Sequence, residues 1–214
     1  MSWPESGVWA PLAEGIVEVL DRPYGLEVVD CGELAVPSGR LCFLDPLTAY
    51  PEEMSVVEVP PGRYAVKLTL ADVSGSLSGA DVRAAYLSLI LADVPEAEHR
   101  LLSEAEEDDQ EFSGVAVESD AVAMTDQEAF HRCVPERRFD RQAQAWADQL
   151  EDPEEIRNGV ANVELPDADE GETIVLAAST WGDGLYPIMG SFDADGHLVA
   201  VHLDLQVVGT FAPD

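Results

Sequence analysis

Basic residues are scarce in this chain of 214 residues: Lys67 is the sole lysine, and Lys and Arg together number 11. Against 43 Asp and Glu they leave a formal net charge of −32. A protein that tracks nucleic-acid phosphates displaces counterions with clustered Lys and Arg, so this composition excludes that class. An anionic membrane surface would repel the chain. Long apolar runs are also missing, and none approaches the ~20 residues of a membrane-spanning helix. The opening Met1-Ser2-Trp3-Pro4-Glu5 has neither the basic nor the apolar region of a secretory signal, so a cytoplasmic location is expected. Cysteine is limited to Cys31, Cys42 and Cys133. An odd number without CxxC spacing argues against a disulfide framework or a zinc site and for reduced thiols.

The chain does have enough apolar residues, 46%, to bury a core. Its acid is unevenly placed. The stretches Glu96–Asp120 and Asp148–Glu172 hold 20 of the 43 acidic residues in 50 positions. Between them lies the basic cluster Arg132, Arg137, Arg138 and Arg141. One reading makes residues 96–113 and 148–172 solvated acidic loops around a counter-charged helix. The other makes Glu104, Glu106, Glu107, Asp108, Asp109, Glu111, Glu154 and Glu155 a docking surface for a basic protein partner.

Local patterns favour strands. Runs at 28–36, 40–44, 54–59, 64–70, 82–91, 115–122 and 173–178 are rich in β-branched and apolar residues and are bounded by Pro and Gly turns. Residues 188–192 and 197–208 flank Asp193-Ala194-Asp195-Gly196, a hairpin signal because Gly supplies the positive φ of a tight turn. Two helices are expected. Thr125 with Glu128 forms a capping box. After Pro135, Phe139, Ala143, Trp146 and Leu150 recur at helical spacing. The fold expected is mainly β (α+β), a β-sandwich or barrel-like sheet with one or two short helices. It would form one domain over 1–214, with residues 1–25 as an N-terminal extension.

Several segments resemble a known family: Pro37-Ser38-Gly39-Arg40, Asp45-Pro46-Leu47, Val59-Pro60-Pro61-Gly62-Arg63-Tyr64, Met124-Thr125-Asp126, and most specifically Trp181-Gly182-Asp183-Gly184-Leu185-Tyr186-Pro187. Over about residues 33–208 the chain is similar to an uncharacterised bacterial family, domain of unknown function 4241. That resemblance implies a compact, mostly β domain and no particular activity.

Chemistry-bearing motifs are few. Trp181, Asp183 and Tyr186 could line a ligand pocket, with flat rings, a charge and glycines that admit close approach. The same residues also fit a tight turn between two strands, with the aromatics as core, and that is the reading favoured. Asp45 and Arg63, at turn edges, could form an ion bridge or line a polar pocket. Asp193–Gly196 begins like a calcium loop but lacks the later acidic ligands. His131 and Cys133 sit outside any nucleophile motif. No phosphate loop, metal spacing or cofactor motif is present, so no cofactor and no catalytic residue is expected. Three functions fit these features: an acidic protein-binding module, of immunity or regulatory type; a small-ligand or enzymatic β domain built on the Trp181–Pro187 turn; or a scaffold whose acidity matches a salty cytoplasm.

Overall fold

A computed structural model describes residues 9–48, 54–102, 114–151, 159–169 and 171–209. The fold is mainly β, as expected, with a curled half-barrel sheet, a second sheet and two helices. The large sheet runs β1 (Gly15–Val19), β2 (Arg22–Val36), β5 (Gly62–Asp72), β6 (Val82–Ile90), β13 (Leu198–Asp204), β12 (Gly184–Phe192) and β7 (Glu98–Leu101). β8 (Gly114–Val117) pairs with the first half of β12, beyond the reach of β7. The small sheet runs β10 (Val160–Glu164), β11 (Thr173–Ala178), β9 (Ala121–Asp126), β3 (Arg40–Leu44) and β4 (Ser55–Glu58). All neighbours are antiparallel.

The small sheet is the middle of three layers. Side chains alternate across a strand, so β3 sends Leu41 and Phe43 to one core and Cys42 and Leu44 to another. β9 and β11 divide the same way: Val122, Met124, Val175 and Ala177 pack with Leu34, Leu68, Leu87 and Leu203 of the large sheet. Ala123, Ile174 and Leu176 face the helices instead. Those helices are α1 (Gln127–Cys133) and α2 (Glu136–Glu151), which supply Phe130, Phe139, Ala143 and Trp146. The stripe expected on α2 is the buried one, and Leu150 packs at its end.

The structure corrects several expectations. The run at 115–122 is two strands in different sheets, separated by a turn at Glu118–Asp120 in which Asp120 has φ +60°. The cap of α1 is Asp126 and not Thr125. Its carboxylate accepts the Ala129 N–H, while the Thr125 hydroxyl donates to the Thr173 carbonyl from within β9. Residues 15–25 pair within the large sheet and are not an extension. Strands β7 and β10 lie inside the stretches read as acidic loops.

The two sheets are tied at a bulge in β2. Register shifts between Asp30 and Glu33, and Gly32 takes φ +84° there. The bulge turns the Cys31 and Glu33 carbonyls out of their ladder, and Asn162 of β10 donates its amide to both, at 2.9 and 3.0 Å. A Cβ on Gly32 would come within 3.3 Å of that amide, so the join favours glycine twice over.

Candidate functional site

The turn at Ser179–Gly184 links β11 of the small sheet to β12 of the large one. Gly182 takes φ +84° and its N–H donates to the Ser179 carbonyl at 2.8 Å. The Gly182 carbonyl then accepts two hydroxyls, Ser179 Oγ and Tyr186 Oη, each at 2.8 Å. The Trp181 indole N–H donates to the Gln206 carbonyl at 2.9 Å, and the Arg83 guanidinium lies 4.4 Å over its ring. Both aromatic residues thus have their polar atoms engaged by the scaffold, with Tyr186 buried in the main core. Asp183 is exposed at the tip. The arrangement is a self-closed turn that presents one carboxylate.

Beside it stands the β8–β9 turn. The Asp120 carbonyl accepts the Ser179 N–H at 2.9 Å, and the Asp120 carboxylate would lie 2.8 Å from a Cβ on Gly182. Asp45, at the end of β3, organises this turn from below. Its carboxylate accepts the N–H of Glu118 at 2.7 Å, the N–H of Ser119 at 2.9 Å, and the Ser119 hydroxyl. It also accepts its own Leu47 N–H at 2.9 Å. Asp45, the Glu118–Asp120 turn and the Trp181 turn therefore form one rim, with Glu118, Asp120 and Asp183 exposed on it. Arg63 is elsewhere, on β5 opposite Ala35 of β2. Among the described residues no ion pair joins it to Asp45.

Several bases pair with acids of the same chain, mostly at the surface. Lys67 meets Asp30 at 2.6 Å and holds that carboxyl below its ordinary range. Arg83 does the same to Asp81 at 2.8 Å. Arg132 of α1 binds Asp169 at 2.7 Å and also the buried Glu172, and Arg138 of α2 binds Asp167 at 2.5 Å. Part of the second acidic stretch is thus neutralised by the basic cluster. Arg22 donates to the Val73 carbonyl at 3.0 Å, and Arg100 lies 3.7 Å over Phe192. Glu104, Glu106, Glu107, Asp108, Asp109, Glu111, Glu154 and Glu155 lie outside the described residues.

One polar network was not visible in the sequence. His202 of β13 is fully buried, with Nδ1 2.7 Å from Ser88 Oγ of β6 and Nε2 2.7 Å from Ser191 Oγ of β12. Ser191 Oγ is also 2.8 Å from His99 Nδ1 of β7. Glu96 faces both imidazoles, 3.8 Å from His99 Nε2 and 3.9 Å from His202 Nε2. These residues align because the strands β6, β13, β12 and β7 are neighbours, while their spacing along the chain is irregular. The set has the residue types of a nucleophile and base, but Ser191 has no exposed surface and its hydroxyl already bridges two histidines. Burial, and then the nearby His99, depress the His202 pKa to about 3, so the imidazole is neutral. The network joins strands and is closed to substrate.

The remaining candidates are structural. The Asp193 carboxylate accepts the N–H groups of Asp195 and His197, each at 2.9 Å, and closes the β12–β13 hairpin. Asp193, Asp195 and His197 hold their ligand atoms within 4.8 Å of one another on that exposed turn. All three cysteines are free. Burial raises the pKa of each thiol, that of Cys31 to about 11, so they remain thiols at neutral pH. No helix among the described residues is long and apolar enough to cross a membrane.

No curated protein and no solved structure matches the chain. A family model described as "Protein of unknown function (DUF4241)" matches residues 34–203, which include β3, the Asp45 turn, the Trp181 turn and nearly all of β13, and the chain belongs to that family.

Proposed function

We propose that this protein is an acidic binding module of the bacterial cytosol that captures a basic protein partner, as an immunity or regulatory protein does. The excess of 43 acidic over 11 basic residues carries the reading. Lys67, Arg83, Arg132 and Arg138 are each paired with an acid of the same chain, and these pairs leave the net charge at −32. A field of one sign speeds capture of a cationic surface and rejects nucleic acid. The rim at Glu118, Asp120 and Asp183 contributes exposed carboxylates to that surface. In the sequence, Glu104–Glu111 falls between β7 and β8, two strands that pair with successive lengths of β12.

The test takes the basic products of genes adjacent to the one encoding this chain and measures affinity against salt. An affinity that falls on the order of tenfold or more as ionic strength rises from ~0.05 to ~0.5 M, mainly through the on-rate, is the expected result. Replacing the acids of Glu104–Glu111 by Gln and Asn should weaken binding in the same way. Binding indifferent to salt would defeat the electrostatic reading.

A further inference from the structure

Thr69, Tyr86 and Asp204 are register partners on the neighbouring strands β5, β6 and β13, so they form one row across the large sheet. They alternate with Leu68, Leu87 and Leu203 of the main core and so lie on the opposite face. Residues 9–13, which precede β1 and belong to no strand, cover this row. The Thr69 hydroxyl donates to the Pro11 carbonyl, and the Ala13 N–H closes a turn onto the Ala10 carbonyl at 3.3 Å. Trp9 is 9% exposed, and its indole N–H is turned to the Asp204 carboxyl without closing a hydrogen bond. The Tyr86 hydroxyl, beside the Ala10 backbone, is likewise without a partner.

We propose that residues 9–13 are a strap that is seated over a neutral Asp204 and released when Asp204 ionises. Asp204 is 4% exposed and closes one backbone hydrogen bond, from Gln206 N–H at 2.8 Å. The groups around it are Tyr86 of β6, Thr69 of β5, the neutral His202 on its own strand, Trp9 of the strap and, behind Tyr86, Tyr24 of β2. Among the described residues no Lys or Arg pairs with it. A buried carboxylate with no cation must find water. The strands cannot yield to admit it without breaking ladders, whereas the strap is held by one hydrogen bond from Thr69 and by the packing of Trp9, Ala10, Pro11 and Ala13. Burial moves the Asp204 pKa up to about 7, against the pull of Gln206 N–H and Trp9. The strap is therefore closed in mild acid and open in mild alkali. Opening adds a negative charge to this face and uncovers an aromatic and polar row.

Acrylamide quenching of Trp9, taken as the difference between the wild-type chain and Trp9→Phe, reads strap opening from pH 5.5 to 9. Quenching should rise severalfold with a midpoint near 7. Asp204→Asn, which mimics the neutral acid, should hold quenching low across the range. Thr69→Val, which removes a strap contact and leaves the carboxyl in place, should move the midpoint to lower pH. No step in the wild-type chain overturns the proposal, and so does a step that persists in Asp204→Asn. These readouts need no binding partner, so they are independent of the proposed capture function.

Discussion

The Asp126 carboxylate holds Ser38 and the first turn of α1 at once. One oxygen accepts the Ser38 N–H at 2.9 Å and its hydroxyl at 2.6 Å, while the other accepts the Ala129 N–H at 2.8 Å. The Arg40 Nε–H reaches Gln127 at 2.6 Å alongside. A carboxylate that caps a helix and closes a turn 88 residues away is buried, at 1% exposure, because its donors replace water. Asp126→Ala should therefore cost about 2–4 kcal/mol in urea unfolding, a lost cap together with orphaned donors. Ser38→Ala removes one donor to Asp126 and the acceptor of the Arg40 N–H, and should cost about 1 kcal/mol. Equal losses in the two variants would show that the bridge to the turn, and not the helix cap, dominates.

Arg132 presents a different dependence. Glu172 is 3% exposed, accepts the Asp169 N–H at 3.0 Å and pairs with Arg132. Arg132→Ala removes a cation from beside that buried carboxylate, a destabilising change. The melting temperature should fall by several degrees. Adding Glu172→Gln to Arg132→Ala should restore part of the loss, because the amide carries no charge to bury. A double variant melting below the single one would contradict this account of the site.

Two buried groups on one face of β13 titrate in opposite senses. His202 is held to a pKa of about 3, below its ordinary 6.5, so the unfolded chain binds a proton that the native chain refuses. Its contribution to stability is present above pH 6.5 and is lost as pH falls toward 3. Asp204 is raised from 3.8 to about 7, so the native chain keeps a proton that the unfolded chain gives up. That contribution is present below pH 3.8 and is lost as pH rises through 7. Each slope is about 1.4 kcal/mol per pH unit, and the two cancel where the windows overlap. In chemical unfolding between pH 4 and 6.5, the stability of Asp204→Asn relative to the wild-type chain should rise with pH, and that of His202→Gln should fall. Parallel profiles for the two variants would exclude the opposition.

Elements with strong local signals were legible in the sequence. The stripe Phe139, Ala143, Trp146 and Leu150 marks α2, and Asp193–Gly196 marks the last hairpin. Elements that owe their form to neighbours were not. β7 is Glu-His-Arg-Leu, with no strand pattern, and extends because β12 supplies its ladder. The middle layer leaves a trace in the sequence: Leu41 to Leu44 is apolar on both faces, as a strand covered on both sides must be. Asp45 and Asp126 stand in family motifs, but their partners lie 73 to 88 positions away, which spacing alone does not reveal. The Trp181 turn was read as either pocket or corner. Hydrogen bonds from Trp181 to Gln206 and from Tyr186 to Gly182 give the corner its material.

Gly182 tests that corner directly. Its φ of +84° suits glycine, and any side chain there pays the left-handed penalty of about 1–2 kcal/mol. A Cβ would in addition meet the Asp120 carboxylate at 2.8 Å. That oxygen ends an exposed side chain and can swing aside, so the contact should add little beyond the backbone cost. Gly171 provides the comparison, with φ +73° and open space around the added Cβ. Gly182→Ala and Gly171→Ala should then destabilise by similar amounts in urea, with Trp181 keeping its emission. A loss at Gly182 much larger than at Gly171 would mean that Asp120 is fixed against the turn. The rim of Glu118, Asp120 and Asp183 would then be a rigid surface, with its carboxylates held in place before any partner arrives.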